Sequence, residues 1–400
     1  MKKWIKTTLQ DVCVETSQRD PRNTPNEYFT YIDIASINRD DKRIEEYKTI
    51  IGSESPSRAR KEIRVNDVIV STVRPNLNAV AIISEELNEQ IASTGFCILR
   101  PNQEKLLPRY LFYFVCTNYF IDYLVSRASG ASYPSVTDAV VKSAPIYLPP
   151  LFEQERIVRL LDEVESLRAT RERANVRMDQ FVPALFQELF DTASNEIISN
   201  SNNNWKEMKL GDVCSFTRGP FGGSLKKNVF KSDGYAVYEQ RHAIHKDYSE
   251  IRYFINEEKF KEMARFELHP GELIMSCSGV TLGRVSIAPE NMKPGIINQA
   301  LLKLTPSNKK ISVEFLKLWM ESESFQVSIR KYSQGAAIPN IASVKILKDI
   351  PIYLPPLALQ REFAARVEEA RGVQSAQGKS TERVEALYQS MLSKAFAGEL

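Results

Sequence analysis

The sequence predicts an α+β protein assembled from two similar globular parts. Each is followed by a long helix, and the two helices pair as an antiparallel coiled coil with pseudo-two-fold symmetry. Three observations predict this fold. Blocks of the first half recur in the second, in the same order, 201 to 206 residues on. Short β-rich runs broken by Asn, Asp and Pro fill each globular part. After a Pro-Pro pair in each copy, apolar residues recur every three or four positions within dense charge.

The longest recurring block is Ile146–Val164, IYLPPLFEQERIVRLLDEV, against Ile352–Ala370, IYLPPLALQREFAARVEEA. Trp4 and the run Leu9-Gln10-Asp11-Val12-Cys13 return as Trp205 and Leu210-Gly211-Asp212-Val213-Cys214. Asp67–Ser71 matches Glu272–Ser276, Ser129–Val136 resembles Gln334–Ile341, and Ala184–Phe190 resembles the stretch ending at Phe396. A period this long is not that of a solenoid, so it marks two copies of one domain plus one helix.

In the first copy, strand-like runs fall at 29–34, 67–72, 80–83 and 95–99, with a helix near 108–126 and a small-residue loop at 129–134. In the second, strands are expected at 236–238, 272–276, 284–288 and 300–304, a helix at 312–332 and a loop at 333–339. The implied division is 1–150 and 205–356 for the globular parts, 151–194 and 357–400 for the helices, and 195–204 for an asparagine-rich flexible link. The helical seam is expected at Ile157, Leu160, Val164, Leu167, Met178 and Phe181 of the first helix. In the second it is expected at Phe363, Val367, Ala370, Val384, Leu387 and Met391. Such stripes cannot remain exposed; mutual pairing covers both at least cost, the alternative being that each helix packs on its own globular part.

Of 400 residues, 43% are apolar and 26% charged, an ordinary globular composition. The net charge of +3 permits a nucleic-acid partner without requiring one. Five scattered cysteines with no CxxC pair read as reduced thiols of a cytoplasmic protein. No signal peptide and no transmembrane stretch is expected, so no membrane partner either.

Tests for chemistry return nothing. There is no G-x-G-x-x-G or G-x-x-x-x-G-K-[ST] phosphate loop, and the Gly219–Lys226 run has the wrong spacing for one. His242 and His245 with Cys214 lack a fourth metal ligand, so no metal site is expected. No catalytic residue is assigned. A two-domain chain without a catalytic set reads as a binder whose helices space two binding surfaces. Duplex DNA suits fixed spacing. The alternatives are a protein-binding scaffold with a helical spacer, or an enzyme whose site is built from dispersed residues.

The Trp…Leu-x-Asp-Val-Cys opening, the repeated Pro-Ile-Tyr-Leu-Pro-Pro-Leu…Gln block and the Phe396-Ala397-Gly398-Glu399-Leu400 ending resemble the specificity subunit of type I restriction-modification systems. That resemblance spans essentially the whole chain. It implies that each globular part is a target recognition domain reading one half of a bipartite, asymmetric DNA sequence, and that the helices set the spacer. It further implies two modification subunits that methylate adenine, and restriction subunits that join them. S-adenosylmethionine, ATP and Mg2+ would be held by those partners, with no cofactor on this chain and no catalysis by it.

No motif of the family fixes the base-reading residues, so chemistry and loop position point to them. Arg and Lys suit guanine edges and phosphates, and Asn and Gln suit adenine. The DNA-binding candidates in the first domain are Arg74, Asn76, Arg127, Ser129 and Tyr133. In the second they are Arg218, Lys226, Gln240, Arg241, Arg330, Lys331 and Gln334.

Overall fold

A computed structural model describes residues 4–191, 205–331, 341 and 343–400. The expected link at 195–204 and the loop at 333–339 lie outside the described residues. The chain forms two compact units: residues up to Arg173 together with Gly378–Leu400, and Ala174–Gln377.

The first unit holds two four-stranded sheets. One runs in the order Lys48–Ile51, Tyr28–Ile32, Ile91–Ser93, Ala59–Glu62, with a parallel central pair that sets Ile91 opposite Tyr31. The other is antiparallel, in the order Cys13–Val14, Phe96–Pro101, Val68–Ser71, Val80–Ile82. The expected runs fall on four of these strands. Lys48–Ile51, Ala59–Glu62 and Ile91–Ser93 were not foreseen.

The helix expected over 108–126 is two helices, Pro108–Val115 and Asn118–Val125. Thr117 breaks it. Its backbone is extended and its hydroxyl accepts from Phe120 N at 3.2 Å, which caps a new helix.

The recurring sequence blocks are the joints of this fold. Strand Ile5–Thr8 pairs antiparallel with Pro145–Leu148, closing the globular part immediately before Pro149-Pro150. Asp11 accepts from Thr8 N at 3.2 Å and Thr8 Oγ1 at 2.6 Å, which fixes the turn that follows the first strand. Gln154 of the Leu-Pro-Pro-Leu-x-x-Gln block is fully buried. Its Oε1 accepts from Leu107 N at 2.9 Å, and its Nε2 donates to Lys105 O at 2.8 Å and Pro149 O at 2.9 Å. One glutamine thus satisfies an otherwise orphaned helix N-terminus and ties the long helix to the globular part.

The second unit repeats the plan. Its sheets run Phe254–Ile255, Tyr235–Tyr238, Gly295–Ile297, Glu267–Leu268 and Cys214–Arg218, Leu301–Pro306, Leu273–Ser276, Val285–Ile287. Lys206–Lys209 pairs with Pro351–Leu354. Gln360 is the second latch, accepting from Ser312 N and donating to Pro355 O, both at 2.9 Å. The helix expected over 312–332 is again two, Val313–Glu321 and Glu323–Lys331, interrupted at the extended Ser322. Tyr332 lies outside the described residues.

The long helices are Leu151–Phe186, continued by a wide π-type turn Gln187–Asp191, and Leu357–Ala397. Inside each unit their segments run antiparallel. In the first, Arg168 Nε meets Glu385 at 2.8 Å and Arg156 Nη2 donates to Leu400 O at 2.8 Å. In the second, Gln374 donates to Asp179 at 2.6 Å, and Phe363 packs on Phe190 with ring centroids 5.1 Å apart.

The seam differs in detail from the expectation. Ile157, Val164, Phe363, Val367, Ala370 and Val384 are buried, and Leu160, Met178 and Met391 are half-buried. Leu167, Phe181 and Leu387, however, are 40%, 46% and 45% exposed. Their places are taken one residue on by Arg168, Val182 and Tyr388, just as Leu161 and Leu392 are buried beside Leu160 and Met391. A straight α-helix drifts by about 20° per heptad against a seven-residue repeat, so a fixed spacing slips by a residue. Arg168 is the polar member that letters alone assign to the flank. Its guanidinium lies 4.3 Å from the centre of the Tyr388 ring, between Glu165 and Glu385.

Candidate nucleic-acid interface

At one end of the antiparallel sheet in the first unit, two loops are knitted together. The tip between Val68–Ser71 and Val80–Ile82 starts with Thr72, whose N donates to Gly95 O at 2.9 Å and whose O accepts from Val136 N at 2.9 Å. Ser129 and Ser135 exchange backbone hydrogen bonds of 3.0 and 2.9 Å, and Arg74 N donates to Pro134 O at 2.7 Å. The result is a rigid pair of loops beside the helix Asn118–Val125.

Five expected residues meet here. Arg74 and Asn76 are exposed on the tip, and Ser129 and Tyr133 are exposed on the neighbouring loop. The Arg74 guanidinium stacks on Tyr133, 4.5 Å from the ring centre, forming a cationic aromatic face. Arg127 is also exposed but folded back on its own helix. It lies over the Tyr123 ring at 3.8 Å and donates to Tyr123 O at 3.0 Å.

Lys42, not among the candidates, joins the same surface. It comes from the hairpin of Ile37–Asn38 and Arg43–Ile44, and its Nζ donates to Asn78 O at 2.8 Å. Partial burial holds its pKa below the ordinary lysine value. Its position in a charged loop run carried no signal of that contact.

The second unit presents the corresponding end, built from 219–224, 239–241, 277–283 and 298–300. Gly219 lies so close to Asn298 that an added Cβ would stand 1.8 Å from its carbonyl oxygen, so only glycine fits there. Beyond it Phe221 is 92% exposed, and on the 277–283 segment Val280 is fully exposed. Neither follows from residue type, which points to polar side chains for a nucleic-acid surface. The available signal was Gly279-Val280 in the short turn that follows the buried strand Leu273–Ser276.

The expected residues of this unit divide. Lys226, Arg330 and Lys331 are exposed. Gln240 is turned inward, donating to Ser278 O at 2.6 Å and Thr281 Oγ1 at 2.9 Å, so it braces the loop instead of extending from it. Arg241 is paired with Glu250. Arg218 points toward the Cys277 thiol, and its buried Nη1 has no hydrogen-bond partner among the described residues. For these three, inward geometry replaces the exposed placement expected from residue type. Gln334 lies outside the described residues.

The two histidines separate, His242 inside and His245 exposed. His242 is buried; Nδ1 accepts from Glu239 N at 2.9 Å, and Nε2 faces Glu250 O at 3.2 Å. Among the described residues, no three His, Cys, Asp or Glu side chains are grouped to hold a metal, and no helix is long and apolar enough to cross a membrane. Two buried carboxylates are partnered as well: Asp67 holds Arg100 through two 2.8 Å hydrogen bonds, and Glu272 lies 3.2 Å from Lys303.

Comparison with known proteins agrees with this architecture. The family model described as the type I restriction modification DNA specificity domain matches residues 1–176 and again 202–372. The type I restriction enzyme MjaVIII specificity subunit of Methanocaldococcus jannaschii is 22% identical over 361 residues, spanning 88% of this chain and 83% of that protein. The EcoBI specificity subunit of Escherichia coli is 24% identical, over 81% of this chain and 72% of that one. A chain solved in work on complex assembly and conformational transition of the type I R-M system superimposes with a TM-score of 0.72 at 27% identity. That match covers 100% of this chain and 99% of the other. The HsdS subunit of Thermoanaerobacter tengcongensis gives a TM-score of 0.50 at 28% identity, covering 100% and 98%. With the family's domain present twice and each copy ending in a long helix, the chain belongs to the type I restriction-modification DNA specificity family.

Proposed function

We propose that this chain reads a bipartite, asymmetric sequence in double-stranded DNA, one half per globular part, and delivers it to catalytic partners. The observation that carries the reading is the paired occurrence of the family's domain, each copy presenting an equivalent loop end. Two modification subunits and the restriction subunits would dock on it in the cytoplasm. They would supply the adenine methyl transfer, the nuclease and the ATP-driven steps, holding S-adenosylmethionine, ATP and Mg2+ themselves. The chain's own share is to bind and orient the duplex. Extrusion of the target base would fall to the methyltransferase. The face of Arg74 and Tyr133 supports the binding share, since it offers a fixed cation beside a flat ring.

Methylome sequencing after co-expression with the methyltransferase tests the reading. One bipartite motif is expected. Replacing 205–350 with the same region of a relative should change one half of the motif, and lengthening 151–190 by one helical turn should change only the spacer. A change in both halves on replacing 205–350, or no motif at all, would overturn it.

A further inference from the structure

The two loop tips share one backbone and carry opposite chemistry. Strands Val68–Ser71 and Val80–Ile82 flank the first tip, and Leu273–Ser276 and Val285–Ile287 flank the second. Positive φ occurs at Arg74 (50°) and Asn78 (43°) in one, and at Gly279 (78°) and Gly283 (83°) in the other. The pairs are 205 residues apart, as are the strands. The turn bond Leu77 N to Arg74 O is 2.9 Å, and Leu282 N to Gly279 O is 3.1 Å. At the base, Thr72 N to Gly95 O is 2.9 Å and Cys277 N to Ala300 O is 3.0 Å. The backbone is therefore common to both, and the side chains are what differ.

Gly279 is the residue this left-handed position favours sterically. Arg74 occupies the same position against that preference, and backbone outliers of this kind gather at functional sites. One residue on, the second tip carries Val280, fully exposed, where the first carries the buried Pro75. A single exposed valine is ordinary. This one is held out on a fixed frame: Gln240 braces Ser278 and Thr281, Ser276 Oγ accepts from Arg284 N at 3.0 Å, and Leu282 is anchored in the interior. In the DNA major groove, an arginine fork matches the two acceptors of guanine, and an apolar group matches the methyl of thymine.

We propose that these tips are the equivalent base-reading elements of the two units. Arg74 makes the first a reader of guanine, and Val280 makes the second a reader of a thymine methyl. This rests on the DNA-reading function proposed above. The test uses the chain in complex with its modification subunits and a duplex carrying its methylated motif. Each thymine is replaced in turn by deoxyuridine, and each guanine by 7-deazaguanine. One deoxyuridine, in one half of the motif, should weaken binding about fourfold, the worth of one buried methyl. Val280→Ser should abolish that difference and leave the other half untouched. Arg74→Gly, which supplies the residue of the second tip, should relax a guanine in the opposite half by roughly 5- to 100-fold. If binding is indifferent to every thymine methyl, or Val280→Ser keeps the deoxyuridine penalty, the valine assignment is overturned. If Arg74→Gly leaves every guanine preference intact, the arginine assignment is overturned. If the unmodified duplex binds no better than random DNA, the DNA-reading function itself fails, and that result is separate from the others.

Discussion

Arg109, at the start of the helix Pro108–Val115, reaches across to Asp162 on the long helix, and Tyr113 donates its hydroxyl to the same carboxylate at 2.6 Å. In the second unit the corresponding position is Glu314, which takes a two-pronged hydrogen bond from Arg371 at 2.8 and 2.9 Å. The start of this helix is thus tied to the long helix in both units with the polarity reversed, the partner on the long helix shifting by three residues, since Arg371 corresponds to Glu165 and Asp162 to Glu368. The Gln154 and Gln360 latches beside it are unchanged in residue and in bonding role. The difference separates two kinds of joint. A buried amide serving backbone groups has one geometric solution, whereas a half-exposed ion pair works in either direction as long as both partners change together.

The largest effect should follow Phe190→Ala. Phe190 is buried against Phe315 and Phe363, and deleting such a ring costs about 3–5 kcal/mol. Hydrogen exchange should accelerate in the second unit and stay unchanged in the first; equal loosening of both would contradict the division into units. Next, Gln154→Ala or Gln360→Ala should each destabilise its own unit by about 1–3 kcal/mol, because a backbone donor is left dry. Similar losses from the two, measured by denaturant melts, would mark the latches as equivalent, and a silent variant would refute their role.

Glu314→Arg alone should lose about 1 kcal/mol by setting two cations together, and adding Arg371→Glu should recover it. Failure of the double variant to recover would show that the polarity is fixed by further neighbours. The smallest effect concerns the thiols. Burial pushes Cys97, Cys214 and Cys277 up to about 12 from an ordinary 9.0. Because the folded value is the higher one, their contribution to stability is complete below pH 9 and declines as pH rises toward 12. Native-state thiol labelling at neutral pH should accordingly be slow, and fast labelling would refute their burial.

The parts readable from sequence were those where chemistry and position coincide. The Pro-Pro-helix blocks name themselves because they recur, and they recur because each contains a latch that tolerates little change. Strands Ala59–Glu62 and Ile91–Ser93 escaped notice because they are short and bounded by loops, without sustained alternation. Thr117 and Ser322 split helices whose apolar spacing reads as continuous, since a cap acts through backbone geometry that periodicity does not register. Among the candidate DNA contacts, residue type and loop position pointed to Arg74 and Tyr133 as exposed side chains, though not to their stacking on each other. The same reasoning misplaced Gln240 and Arg241, because a polar side chain on a loop can as easily brace the loop as leave it. The exposure of Val280 was not legible, because apolar chemistry argues for the interior.

The aromatic closures carry a consequence for the order of synthesis. Phe396, near the end of Leu357–Ala397, packs on Tyr110 and Phe114 of the first unit, with centroids 4.9 and 5.6 Å apart. The segment that completes this unit is therefore translated after the whole of the second unit. While the ribosome is still reading residues 205–377, the first globular part waits with an aromatic cleft uncovered. It is then a candidate client for chaperones, although every strand of its own sheets has already emerged.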